Sequence, residues 1–266
     1  TIKTVTLGGS RGNKMILNAF DLKGKVAIVT GCDTGLGQGM ALGLAEAGCD
    51  IVGINIVEPT DTIAKVEALG RQFLSLKADV SKVDTLPALV DQAVSRFGRV
   101  DILVNNAGII RREDAINFSE KDWDDVMNIN IKSVFFMSQA VARQFMAQGR
   151  GGKIVNIASM LSYQGGIRVP SYTASKSGVM GITRLLANEW ASQGINVNAI
   201  APGYMATNNT TALRADEDRN AAILERIPAG RWGLPDDMMG PVVFLASAAS
   251  DYINGYTIAV DGGWLA

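Results

Sequence analysis

From residue 25 onward, short uninterrupted apolar runs alternate with longer amphipathic stretches, and this alternation restricts the possible folds more than any other feature of the chain. The runs at 25–30, 50–55, 73–77, 101–105, 153–158, 196–200 and 257–260 read as strands. The segments near 36–48, 60–71, 84–97, 120–147, 171–192 and 236–247 read as helices. A strand with no polar face has to be covered on both sides, and helices between such strands supply the cover while forcing them to run parallel. Right-handed crossovers then give an α/β doubly wound (Rossmann) fold with a seven-stranded parallel sheet flanked by helices.

No proline-rich linker, repeat or low-complexity tract interrupts the pattern, so residues 15–266 are expected to form one dinucleotide-binding catalytic domain. Residues 1–14 have the composition of an appended leader, with Met15 as the expected native start. They lack the apolar core of a signal peptide, which leads to an expected cytoplasmic location. The stretch 203–235 is the least regular and is expected to be a loop carrying a short helix.

Balanced charge, 25 basic against 26 acidic residues with no basic block, argues against nucleic acid or an anionic membrane as partner. No apolar run reaches the ~20 residues that span a bilayer. Two cysteines, Cys32 and Cys49, are too few for a disulfide framework. The chain has no histidine, which excludes Ser-His-Asp and Cys-His chemistry and any histidine-ligated metal. Any proton transfer must use another residue type.

The first strand runs into Gly31-Cys32-Asp33-Thr34-Gly35-Leu36-Gly37, with a helix beyond. Glycines at that turn allow the backbone to approach a pyrophosphate, and the helix start aims free N–H groups at it. The end of the second strand distinguishes the two nicotinamide dinucleotides. It offers Asn55 with no arginine after it, and Asp33 would repel a 2′-phosphate, so NAD is expected over NADP. Asp79, at the end of the third strand, can accept from an adenine amine or simply cap a turn. Asn106, Ala107 and Gly108 end the fourth strand, where small residues either let the backbone pass a ribose or shape a turn.

Tyr172 and Lys176 lie four residues apart, on one helix face, where the ammonium would favour a phenolate. The glycine turn, Asn-Asn-Ala-Gly at 105–108, Ser159, Tyr172-x-x-x-Lys176 and Pro202-Gly203 together resemble the short-chain dehydrogenases/reductases, over essentially all of 15–266. The resemblance implies a catalytic tetrad of Asn130, Ser159, Tyr172 and Lys176. Ser159 would hold and polarise a carbonyl, Tyr172 would exchange the proton, Lys176 would stabilise the phenolate and bind a ribose, and Asn130 would support Lys176. It also implies cofactor contacts from Leu36, Ile56, Val80, Pro202, Gly203, Met205 and Thr207, and a homotetramer.

The substrate pocket should draw on Arg111 and Arg112, on Gln164 and Arg168, and on Asn208, Asn209 and Arg214. This polar, cationic set suits a small hydroxylated acid, with Arg111, Arg112 or Arg168 gripping its carboxylate; each of the three could equally be a surface ion-pair partner. The stretches 31–40, 110–115, 164–172 and 202–210 resemble the sugar-acid dehydrogenases of uronate breakdown. That likeness implies NAD-linked interconversion of a C5 ketone and a secondary alcohol on a 3-deoxy sugar acid. A neighbouring polyol or sugar-acid dehydrogenase, a 3-ketoacyl reductase, and a dinucleotide-sensing regulator are the alternatives.

Overall fold

A computed structural model describes residues 15–266; the expected leader at 1–14 lies outside the described residues. Seven strands form one sheet: β1 (Val26–Thr30), β2 (Asp50–Asn55), β3 (Phe73–Lys77), β4 (Ile102–Asn105), β5 (Gly152–Ile157), β6 (Ile195–Pro202) and β7 (Thr257–Val260). Every pairing is parallel and the order is β3-β2-β1-β4-β5-β6-β7. The helices are α1 (Gly35–Glu46), α2 (Thr60–Ala68), α3 (Leu86–Phe97), α4 (Glu120–Met127), α5 (Ser133–Gln148), α6 (Leu161–Gln164), α7 (Pro170–Trp190), α8 (Thr211–Ala215), α9 (Glu217–Arg226) and α10 (Met239–Ala246).

Strand alternation distributes the core over both faces. Val26 and Ile28 of β1 join Leu89, Val90 and Phe145 of α3 and α5 on one side. Ala27 and Val29 join Met40, Leu44, Val242 and Leu245 of α1 and α10 on the other. This is the doubly wound arrangement expected of strands apolar on both faces. The order reverses between β1 and β4, so the crevice at their carboxyl ends is where such a fold receives a ligand. Among the described residues no helix is long and apolar enough to cross a membrane.

Three local departures from the sequence pattern matter. The expected helix over 120–147 is broken by a π-helical turn at Asn128–Lys132, whose widened backbone brings the buried Asn130 inward. The Ser133 hydroxyl donates to the Ile129 carbonyl within that turn. A short helix, α6, follows β5 where none was anticipated. The 203–235 region holds two short helices, α8 and α9, rather than one; the Asp216 carboxylate begins the second by accepting from the Arg219 N–H at 3.0 Å.

Beneath the carboxyl ends of β4 and β5 runs a fully buried chain of polar side chains. Asn105 donates to Ser138 Oγ at 3.0 Å and to Asn156 Oδ1 at 2.9 Å. Asn156 in turn donates to Thr183 Oγ1 at 3.1 Å, and Thr183 donates to the Val179 carbonyl at 2.8 Å. Two strands are thereby tied to α5 and α7. Asn156→Ala should destabilise the protein by about 1–3 kcal/mol, because it removes two buried hydrogen bonds and leaves Asn105 with Ser138 alone and Thr183 with the Val179 carbonyl alone. Chemical denaturation of the two proteins provides the check.

Candidate active site

The site begins at the first turn. Gly31 has φ +65°, and a Cβ there would lie 3.0 Å from the Ala107 Cα. A Cβ on Gly37 would overlap the Gly31 carbonyl oxygen. The turn is therefore closed against side chains from within and open toward the crevice. No side chain caps the start of α1, so its first N–H groups remain free to meet an anion.

Asn55 serves this turn from behind. Its Oδ1 accepts from the Cys32 N–H at 2.7 Å, and Thr62 Oγ1 donates to the Cys32 carbonyl at 2.7 Å. The Asn55 side chain expected to meet a ribose is thus spent on the loop. The strand-end residues Ile56 and Val57 stand exposed in front of it. Asp79 accepts from the Ser81 N–H at 2.9 Å, and the Ser81 hydrogen bonds hold its carboxyl below the ordinary range. On the other side Thr30 Oγ1 accepts from the N–H groups of Asn106 and Ala107, each at 3.0 Å, and the Asn106 amide donates to the Gly31 carbonyl at 2.7 Å. The turns after β1 and β4 are one hydrogen-bonded unit.

A cleft of about 500 Å³ lies along this edge, within the size range of cofactor and small-molecule sites. Gly31, Asp33, Thr34, Gly35, Leu36, Gly37, Asn55, Ile56, Asp79, Val80, Asn106, Ala107, Gly108, Pro202, Gly203, Met205 and Thr207 all line it. So do Ser159, Tyr172, Lys176 and Arg112. Asn130 stands behind the wall: its Oδ1 accepts from the Ile109 N–H at 2.8 Å and its Nδ2 donates to the Ile109 carbonyl at 2.9 Å. It also reaches Ser175 Oγ at 3.3 Å. The π turn thereby pins the segment after β4 against α7.

Lys176 is only 5% exposed, and its ammonium donates to the Ile157 carbonyl at 2.8 Å. An ammonium has three donors, so two remain directed away from that carbonyl, a donor set that fits ribose hydroxyls. Burial pushes the Lys176 pKa down to about 8. Its nitrogen lies 5.7 Å from the centroid of the Tyr172 ring. Burial also holds the Tyr172 phenol above its ordinary value; a hydrogen bond with Ser159 and the charge of Arg112 work in the opposite direction. Lys176, the cation that the sequence placed beside Tyr172, does stand near its ring, and the charge of Arg112 acts on the phenol as well. Ser159 Oγ accepts from the Leu161 N–H at 3.1 Å, so its hydroxyl proton is the group left to meet Tyr172 or a ligand oxygen.

The three candidate carboxylate-binding arginines separate clearly. Arg111 pairs with Asp122 at 3.6 Å, and Arg168 pairs with Asp114 at 2.9 Å; all four side chains are at least about one-third exposed. Gln164 is exposed and lies outside the lining of the cleft, whereas Arg112 lines it and has no carboxylate within ion-pair distance among the described residues. Asn208 and Asn209 line the opposite wall. Arg214 does not; it donates to the Thr207 carbonyl at 3.1 Å and braces the loop. The sequence reading passed over Thr30, Ile109 and Ile157, of which the last two act through backbone atoms that no residue type advertises.

Comparison with known proteins follows this geometry. The family model described as enoyl-(acyl carrier protein) reductase matches residues 31–265. The 2-dehydro-3-deoxy-D-gluconate 5-dehydrogenase of Escherichia coli K12 is 81% identical over 252 residues, 95% of this chain and 100% of that protein. The Bacillus subtilis enzyme of the same name is 55% identical, covering 93% of this chain and 97% of its own. Among solved structures, a gluconate 5-dehydrogenase from Burkholderia cenocepacia in complex with NADP and tartrate is 40% identical. It superposes with a TM-score of 0.90 over 94% of this chain and 99% of that one.

The depressed Lys176 pKa sets a stability prediction. Below about pH 8 the folded protein holds a desolvated ammonium. Between about 8 and 10.5 the unfolded chain binds a proton that the folded chain has released, so stability attributable to Lys176 rises with pH. Lys176→Met should therefore be more stable than the wild type at pH 7, by on the order of 2 kcal/mol. The gap should close as the pH approaches 10.5. Paired thermal melts across that range test it; the difference between the two proteins cancels the opposing contributions of Cys32 and Cys49, whose thiols burial pushes up.

Proposed function

The chain belongs to the short-chain dehydrogenase/reductase family and is an oxidoreductase, and from that premise we propose that it interconverts a ketone and a secondary alcohol at C5 of a small sugar acid. The substrate pair proposed is a 3-deoxy-2,5-diketo-hexonate and 2-dehydro-3-deoxy-D-gluconate, in uronate breakdown. The observation that carries this reading is Arg112: a guanidinium without a carboxylate partner, lining the same cleft as Ser159, Tyr172 and Lys176. A sugar acid brings a carboxylate to pair with it bidentately while its carbonyl reaches the tetrad. The identity to the Escherichia coli and Bacillus subtilis enzymes supports the same choice.

The residues divide the work as follows. The glycine turn and the start of α1 would bind the pyrophosphate, and Lys176 the nicotinamide ribose. The nicotinamide dinucleotide, when bound, supplies or accepts the hydride. Ser159 donates a hydrogen bond to the carbonyl oxygen and orients it. Tyr172, protonated at neutral pH, donates to the forming alkoxide during reduction, and Lys176 stabilises the phenolate left behind. Asn130 fixes Ile109 and so the wall between the substrate and cofactor ends.

NAD is proposed as the cofactor. The two cations among the lining residues, Arg112 and Lys176, belong to the tetrad end, and the glycine turn contributes the anionic Asp33. A 2′-phosphate would meet repulsion and no counter-charge. The NADP in the Burkholderia cenocepacia structure favours a second reading, and the two are separated by kcat/KM with NADH and with NADPH, where NADH should be preferred. The same proposal takes the working form as a cytoplasmic homotetramer.

The purified protein should oxidise NADH in the presence of the diketo acid and reduce NAD with 2-dehydro-3-deoxy-D-gluconate; inertness toward every small sugar acid would refute the reading. Tyr172→Phe should lower kcat at least about 100-fold, with NADH binding retained. Arg112→Ala should raise KM for the keto acid roughly 10- to 100-fold, the size of a lost charge-assisted hydrogen bond, and leave KM for NADH unchanged. Because reduction uses the protonated phenol, its rate should decline as pH rises through the Tyr172 pKa while the reverse oxidation gains.

A further inference from the structure

Arg168 is the one non-glycine residue with positive φ among the described residues, at +63°. A left-handed backbone is unfavourable for any residue with a Cβ, and glycine would adopt it freely. Gly165 and Gly166 stand three and two residues earlier, yet this position carries an arginine. Its side chain explains the choice. The guanidinium Nε meets Asp114 Oδ1 at 2.9 Å, and Nη2 lies 3.8 Å from Glu113 Oε1. The Arg168 carbonyl accepts from the Glu113 N–H at 3.0 Å. Glu113 Oε1 in turn accepts from the Asp114 N–H at 2.7 Å.

These contacts join segments 54 residues apart in sequence. One follows β4 and contains Arg112, immediately before Glu113. The other leads into Val169 and the first turn of α7, two residues from Tyr172. Both sides of the ion pair are more than half exposed on average, so its contribution to stability is small. A strained backbone kept for a weak surface pair is accounted for by geometry rather than stability.

We propose that Arg168 is a positioning residue: it clasps Glu113 and Asp114 and thereby holds Arg112 over the substrate end of the cleft. Its effect on catalysis runs through Arg112, whereas the sequence reading placed Arg168 against the substrate directly. The proposal rests on the carboxylate-binding role given to Arg112 above.

Arg168→Gly keeps the left-handed backbone without strain and removes the guanidinium, so its melting temperature should be unchanged or raised. KM for the keto acid should rise about tenfold, the equivalent of ~1.4 kcal/mol, with kcat nearly constant and KM for NADH unmoved. Asp114→Ala should reproduce that pattern, and the double variant should be no worse than either single one. An unmoved KM in Arg168→Gly, or effects that multiply in the double variant, would overturn the clasp. A readout without turnover separates this from the functional reading: the rate at which phenylglyoxal labels Arg112, followed by peptide mass. That rate should differ between wild type and Arg168→Gly, and equal rates would refute the clasp even if no sugar acid is turned over.

Discussion

The buried amide of Asn156 is the interaction on which the site's geometry most depends. It receives a hydrogen bond from Asn105 and passes one to Thr183. Strand β4, strand β5 and helix α7 are thus held in one register by directional bonds between buried side chains. Apolar packing alone specifies distance loosely, because hydrophobic contacts are non-directional. Hydrogen bonds with fixed donors and acceptors specify orientation as well. Ser159 follows β5, Ile109 follows β4, and Tyr172 and Lys176 lie on α7, so the three elements cross-linked by this chain are the three that carry or adjoin the proposed catalytic residues.

Much of this was legible in the residues. Uninterrupted apolar strands announced a sheet covered on both faces, and the glycine turn and the Tyr172–Lys176 spacing located the crevice. The geometry of 128–132 was not legible, since the composition of Asn-Ile-Asn-Ile-Lys fits a regular helix and only the tertiary demand on Asn130 widens the turn. Neither was the division of labour among Arg111, Arg112 and Arg168. Whether an arginine faces a cleft or an aspartate depends on loop paths that short-range pattern does not encode. Asn55 shows a subtler limit: it sits at the strand end where a ribose contact is expected, but its amide is committed to the Cys32 backbone. Asn105 and Asn156 did carry a signal, because asparagine is depleted in strands and its presence in two apolar ones marks a buried polar network.

The site gathers groups that the rest of the molecule avoids. Lys176 is buried with one backbone partner, and Arg112, itself exposed, lines the cleft with no carboxylate within ion-pair distance among the described residues. Burying Lys176 costs folding free energy, and both groups retain unused hydrogen-bonding capacity. That capacity is what a ligand satisfies. The free N–H groups at the start of α1 add to that capacity, since no side chain caps them.

The π turn at Asn128–Lys132 also changes what the long helical rod can do. Each residue advances a helix by about 100°, and one extra residue in a turn shifts the phase of everything beyond it. Helix α4, before the turn, packs against α7; helix α5, after it, packs against α3 and the sheet. A rod of constant pitch would carry a single apolar stripe and could serve one of these neighbours only. The phase shift lets one continuous rod brace α7 along its first half and bury itself in the core along its second.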